Sequence, residues 1–347
     1  MMNEEGTSGI PVALPLEMLP WHQAARGRME AAVANGRLPH AVLLHGPAGV
    51  GKERFAAALA AALFCKRRGT SLQACGECAE CALSRAGSHP DLHWLRRLED
   101  KKSISVDQVR ETCERLGMTS MRSGYRVAIV APAQALTVNA QNALLKTLEE
   151  PAPRTLLILV TPRPSGLLAT MRSRCQRIEI ARPSEPVAVE WLSRELSAPV
   201  APGLLEIAGG APLRAIELAP HFDSLEGQMT GLLDSLCSER AEATGTAAQM
   251  MGDGLPVRLD WLEAWLGQVI RVRTLPTGMR RTVRGGPVLQ RAAAEVNIST
   301  AFRMVDRVRE VRRLLEGSAA AQLVVEALLI ELAASFGRRG VTQWAPQ

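Results

Sequence analysis

Gly46-Pro47-Ala48-Gly49-Val50-Gly51-Lys52 follows the apolar run Ala41-Val42-Leu43-Leu44, and this pairing decides the fold. A continuous apolar run reads as a strand buried on both faces, and the glycine-rich turn after it has the spacing of a phosphate-binding loop. Its glycines let backbone N–H groups crowd a phosphate, and Lys52 adds a positive charge. The helix expected from Glu53 to Phe64 points its N-terminus at the same place. The residue after the lysine should be Ser or Thr, whose hydroxyl ligates Mg²⁺, but here it is Glu53. The later run Arg126-Val127-Ala128-Ile129-Val130 should end in an Asp for the same metal, and it ends in Ala131-Pro132. Two magnesium contacts are absent. The sequence predicts a triphosphatase scaffold without its own turnover. Gly46, Gly49, Val50, Gly51 and Lys52 stay candidates for holding ATP, Mg²⁺ is not expected, and a carboxylate at residue 53 sits unfavourably close to phosphate charge.

Outward from this loop, strand and helix patterns alternate from Trp21 to about Ala181. Strands are expected at 41–44, 91–98, 126–130 and 155–160, with an alternating edge strand at 175–180. Ser105 caps a helix running to Leu116. The first 20 residues, rich in Gly and Pro, read as an irregular lead-in. Composition shifts at Ala181-Arg182-Pro183-Ser184, and no strand pattern follows. Helices are expected at 186–196, 204–208 and 213–218. A longer helical region, broken by a Gly/Pro/Arg stretch from Thr274 to Pro287, ends in helices at 300–316 and 320–336. In the first of these, Met304, Val308, Val311 and Leu315 share a face. The expected class is α/β plus all-α: a P-loop domain with a parallel sheet over 1–182, a small helical domain over 183–222, and a C-terminal helical domain over 223–347.

The length of 347 residues also calls for more than one domain. Aromatic residues make up 3% of the chain against 47% hydrophobic, so the cores must be built from Ala, Leu, Val and Ile. A net charge of +6 is compatible with nucleic acid or an acidic partner. No apolar stretch approaches a membrane span, and Met1-Met2-Asn3-Glu4-Glu5 carries no basic-then-apolar signal. A cytoplasmic protein without membrane attachment is expected, with its seven cysteines reduced. Cys65, Cys75, Cys78 and Cys81 form C-x9-C-x2-C-x2-C, the ligand set of a closed, tetrahedral, structural Zn²⁺ site. Cys113, Cys175 and Cys237 read as ordinary small residues. His22, His40, His45, His89, His93 and His221 show no ligand spacing.

Two further segments carry information as a set. Asn142 to Pro151 (Asn-Ala-Leu-Leu-Lys-Thr-Leu-Glu-Glu-Pro) is an amphipathic helix stopped by proline, and Ser173-Arg174-Cys175 precedes the last strand. With the P-loop, the cysteine insert and Ser88-His89-Pro90-Asp91, they resemble the clamp-loader subunits of bacterial DNA polymerase III, and among these the delta-prime family. The resemblance covers Trp21 to about Ala219. It implies an AAA+ module, a small helical lid and a C-terminal helical collar. It also implies a five-membered hetero-oligomeric ring with gamma/tau motor subunits and a delta subunit, which loads a sliding clamp onto primed DNA. Arg174 would be a trans arginine finger reaching ATP held by the neighbouring motor. Thr161 falls at the first sensor position and Arg214 at the sensor arginine of the lid. Motor subunits keep the hydroxyl and the acidic residues that are missing here, so the resemblance favours the non-motor, stationary subunit. Polymerase (nucleotidyltransferase) activity would belong to the holoenzyme, as the chain shows no carboxylate constellation for it.

Lys101, Lys102, Arg122 and Arg126 are candidates for DNA contact. Arg280, Arg281, Arg284, Arg309, Arg312 and Arg313 read as a solvated face. Two alternatives are a gamma/tau-type ATP-hydrolysing motor and a zinc-containing DNA-binding module on a degenerate P-loop scaffold. The first predicts magnesium-dependent turnover by the isolated chain, the second tight, salt-dependent DNA binding by the chain alone.

Overall fold

Runs of Val, Ile, Leu and Thr too short to be helices pair into one parallel sheet. The computed structural model describes residues 13–69, 72–98, 101–122, 124–237, 243–252, 254–275, 286–315 and 320–335. The strands are β1 (Ala41–His45), β2 (Leu92–Leu95), β3 (Arg126–Val130), β4 (Thr155–Thr161) and β5 (Gln176–Glu179), in the order β2-β3-β4-β1-β5. Every pairing is parallel, with Leu43 opposite both Leu159 and Arg177. Helix α1 (Gln23–Ala34) precedes the sheet, and α2 (Lys52–Phe64), α3 (Ala79–Arg85), α4 (Val106–Gly117), α5 (Val138–Glu149) and α6 (Ala169–Arg174) lie in the connections between strands.

Both faces of the sheet are covered, as its continuous apolar strands require. Ala41, Leu43, Ala128, Val130, Leu157 and Leu159 join Val109 and Leu116 of α4, Leu144 and Leu148 of α5, and Met171 of α6 in one core. The alternate residues Val42, Leu44, Val127, Ile129, Leu156 and Ile158 are also buried, and α2 packs against β1 and β4. Phe55 to Phe64 of α2 are buried all round. An alanine-rich sequence suits this, combining the highest helix propensity with a thin cross-section.

The elements differ from expectation in three places. β2 is shorter than 91–98 because β3, its partner, ends at Val130 opposite Leu95, and the next residues are Ala131 and Pro132, the latter without an N–H to give. Helix α5 starts a turn before Asn142, where the Thr137 hydroxyl caps it by accepting from Ala140 N at 3.2 Å. The described part of the lead-in is packed, with Leu14, Leu16 and Leu19 buried. It ends in a short turn, Pro20–His22, lying on the P-loop. Trp21 Nε1 donates to Val50 O at 2.9 Å, His22 Nε2 lies 3.1 Å from the same oxygen, and His22 Nδ1 accepts from Leu19 N at 3.1 Å.

The chain divides into two compact units between Val187 and Ala188, within α7 (Glu185–Glu195). The second unit is helical: α8 (Leu204–Ile207), α9 (Pro212–Leu218), α10 (Phe222–Cys237), α11 (Ala243–Met250), α12 (Leu255–Thr274), α13 (Gly286–Glu295), α14 (Ile298–Leu315) and α15 (Ala321–Ser335). Met304, Val308 and Val311 enter a core with Leu259, Leu262 and Val269 of α12 and Leu328 and Leu329 of α15, while Leu315 is half-buried at its edge. An α/β sheet unit followed by an all-α unit is the class the sequence predicts. No described helix is long and apolar enough to cross a membrane. Arg280, Arg281, Arg284 and the side chain of Cys237 lie outside the described residues.

His22 gives the fold a pH dependence. Burial lowers its pKa from 6.5 to about 4, and a proton on Nδ1 would abolish the bond from Leu19 N. The unfolded chain takes up this proton near 6.5 while the folded chain does not. Stability should therefore fall as pH drops from about 6.5 toward 4, by about 1.4 kcal/mol per pH unit for this group. Urea unfolding of wild type and His22→Leu at pH 7 and pH 5 checks this: the variant should lose that part of the slope.

Candidate functional site

The P-loop bends where only glycine fits. A Cβ on Gly46 (φ +142°) would lie 2.1 Å from the Ile180 carbonyl oxygen, and one on Gly51 (φ +84°) would lie 2.5 Å from Leu19 Cδ1. Gly49 also has positive φ, and Val50 is buried with its carbonyl taken by Trp21 and His22. Lys52 is buried, its ammonium donates to Pro47 O, and burial lowers its pKa to about 8. Glu53 pairs with Arg96 at 2.9 Å, and Arg96 lies 4.5 Å above the Trp94 ring. The side chain that would meet a metal cation in a hydrolysing loop here meets a guanidinium.

Thr161 closes β4 with its hydroxyl used twice, 2.8 Å from Gln134 Oε1 and accepting from Arg163 N at 3.0 Å. Arg174 is the last residue of α6. Its Nη1 donates to Thr170 O at 3.0 Å, and its Nη2 lies 2.6 Å from Glu149 Oε1. Cys175, beside it, is buried, which pushes its thiol up to about 11 and leaves it unreactive. In the helical unit, Arg214 of α9 pairs with the buried Asp260 of α12, which also receives Arg312 of α14. Arg312 reaches Glu263 at 2.8 Å as well.

The structure gathers all four expected cysteine ligands. Their sulfurs lie within 4.8 Å of one another, with Cys78–Cys81 at 3.5 Å, Cys75–Cys81 at 3.8 Å and Cys65–Cys78 at 3.9 Å. A tetrahedral ion with bonds of about 2.3 Å separates its sulfurs by about 3.8 Å, so the set fits a metal such as zinc. Backbone amides orient the ligands: Cys75 N donates to Cys65 Sγ at 3.3 Å and Cys78 N to Cys75 Sγ at 3.4 Å. Burial and the adjoining sulfurs push Cys81 up to about 12. At Cys78 burial acts the same way but is outweighed by amide donors, and the thiol falls to about 6. Four sulfurs this close cannot all ionise without a cation among them.

Sequence reasoning missed the residue that fixes this lobe. Glu80, in the spacer between Cys78 and Cys81, is buried, and Arg122 grips both its oxygens at 3.0 and 3.3 Å. Lys66 lies 3.2 Å away, and so does Nε2 of the buried His89, whose ring stacks on Phe64. The Arg122 guanidinium holds the Glu80 carboxyl below the usual range. Asp91 is buried too, accepting from Ser120 Oγ, Met121 N and Arg122 N at 2.8–3.0 Å. Ser88-His89-Pro90-Asp91 is thus a structural junction between the cysteine lobe and the sheet. No spacing rule announces a buried carboxylate: Gly76-Glu77 and Ala79-Glu80 read alike in the sequence, yet Glu77 is exposed and Glu80 buried.

One of the expected DNA contacts needs correction. Arg126 is buried and donates to Pro153 O at 2.7 Å, so it is not free for a phosphate, whereas Arg122 is exposed and paired with Glu80. Lys101 and Lys102 are exposed. Among the arginines of the helical unit, Arg309 pairs with Glu263 and Asp306, while Arg312 is half-buried and reaches the buried Asp260.

A family model described as "DNA polymerase III, delta subunit" matches residues 21–184. DNA polymerase III subunit delta′ of Pseudomonas aeruginosa is 37% identical over 261 residues, 74% of this chain and 78% of that protein. The Escherichia coli subunit of the same name is 34% identical over 260 residues, 73% of this chain and 76% of that protein. DNA polymerase III subunit tau of Bacillus subtilis is 30% identical over 64% of this chain but only 39% of its own length. The parallel sheet, the loop that leaves β1 and two relatives aligned over most of both chains agree: this chain belongs to the delta′ family of DNA polymerase III subunits.

Proposed function

We propose that this chain is the non-motor subunit of the DNA polymerase III clamp loader and assists ATP hydrolysis on a neighbour instead of performing it. The observation that carries this reading is the state of its own loop in a delta′ family member. Lys52 is satisfied by Pro47 O, Glu53 is paired with Arg96, and neither magnesium ligand is present. Gly46, Gly49, Val50, Gly51 and Lys52 then hold the turn in shape, and any ATP there would bind without catalytic Mg²⁺. Arg174, half-exposed at the end of α6, is the residue offered in trans to the γ-phosphate of a gamma/tau-type motor, where it stabilises charge in the transition state. The partners are these motors and a delta subunit in a heteropentameric ring, with the sliding clamp and primed DNA reached through the complex in the cytoplasm.

Within this reading the chain has three parts: an AAA+ domain to residue 182, a lid over 183–222 and an oligomerising collar over 223–347. Thr161 and Arg214, at the sensor positions, serve as internal ties to Gln134 and Asp260. Cys65, Cys75, Cys78 and Cys81 hold a structural Zn²⁺, whose four protein ligands leave no position for substrate.

In the reconstituted complex, Arg174→Ala should slow single-turnover ATP hydrolysis at the adjoining site by about 10³-fold or more, with assembly unchanged by size-exclusion chromatography. An unchanged rate removes the trans finger. Brisk Mg-ATP cleavage by the isolated chain would favour the motor alternative instead. Elemental analysis should find about one zinc per chain. Cys78→Ser should lose the metal and lower the thermal midpoint, because metal binding contributes folding free energy; a stable, metal-free wild type contradicts the site.

A further inference from the structure

The Arg174 guanidinium is held at two points. Thr170 O takes Nη1 and Glu149 takes Nη2. A guanidinium has five N–H donors in a rigid fork, and among the described residues the others have no partner. Glu149 is oddly placed for a structural residue. It is the last residue of α5, followed by Glu150 and Pro151, and negative charge at a helix C-terminus opposes the helix dipole. Arg174 closes α6, so its cation stands where a dipole favours it. The carboxylate is therefore supported by Arg174 and not by its own helix. Both side chains remain substantially exposed, at 36% and 50%.

We propose that Glu149 is a positioning residue for Arg174. It holds the fork in one rotamer against Thr170 O, so that the remaining donors are ready for an anionic ligand brought by another chain. A free arginine must give up its rotamer freedom when it engages, and a tethered one has already done so. This rests on the reading of Arg174 as a trans finger and adds the residue that orients it.

The test uses the assembled complex and measures kcat and KM for ATP at the site adjoining this chain. Wild type, Glu149→Gln, Glu149→Ala, Arg174→Ala and Glu149→Ala/Arg174→Ala are compared, with unfolding midpoint and assembly as controls. Glu149→Ala should lower kcat by about tenfold with KM within about twofold, since the residue orients a group that acts in the transition state. Glu149→Gln keeps the shape and an accepting oxygen, so it should fall between Glu149→Ala and wild type. With Arg174 already Ala, removing Glu149 should change nothing further. The proposal is overturned if Glu149→Ala leaves kcat unchanged or raises it, or if it slows the double variant as much as the single one. If Arg174→Ala itself is silent, the finger reading falls first; if only the Glu149 variants are silent, the finger stands and its tether does not.

Discussion

A glycine-rich turn that ends on a buried lysine leaves a cation and a carbonyl in need of partners, and this requirement organises the surroundings of the loop. The turn from β1 into α2 passes so close to the Ile180 carbonyl that residue 46 has no room for a side chain. Below it the Lys52 ammonium is buried, and a buried charge needs a hydrogen bond. Pro47 supplies it. On the other side the Val50 carbonyl is met by Trp21 and His22, and Leu19 covers Gly51. The lead-in and the loop itself thus supply these partners.

The charged side chains divide by where they find their partners. Glu53 and Arg96 cancel beside the loop, and Arg214 and Arg312 are drawn to one buried aspartate in the helical unit. Arg122 is absorbed by Glu80. Arg174 also has a partner, Glu149, and both side chains remain partly exposed.

Much of the fold was legible because it rests on local rules. The apolar runs at 41–44, 126–130 and 155–160 became central strands with little change, and the C-x2-C spacers did bring four sulfurs together. What the sequence hid depends on partners distant in the chain. Residues 96–98 look as strand-like as 92–95 until β3 is seen to stop at Val130. Leu14, Leu16 and Leu19 sit in a Gly- and Pro-rich stretch, and only tertiary packing buries them. The same holds for side chains: Arg122, Arg126 and Arg312 look alike in a string of letters, and their counter-charges or carbonyl acceptors are what distinguish them.

The position of Glu80 has a consequence for anyone reshaping this molecule. The cysteine lobe resembles a detachable ornament, a segment gathered by four thiols between a helix and a strand. Yet its spacer carries the carboxylate that Arg122, Lys66 and His89 all face. Deleting the lobe would take away the acceptor that faces the buried His89 imidazole, while the exposed Arg122 and Lys66 could turn to water, so a trimmed version must give that imidazole a new partner.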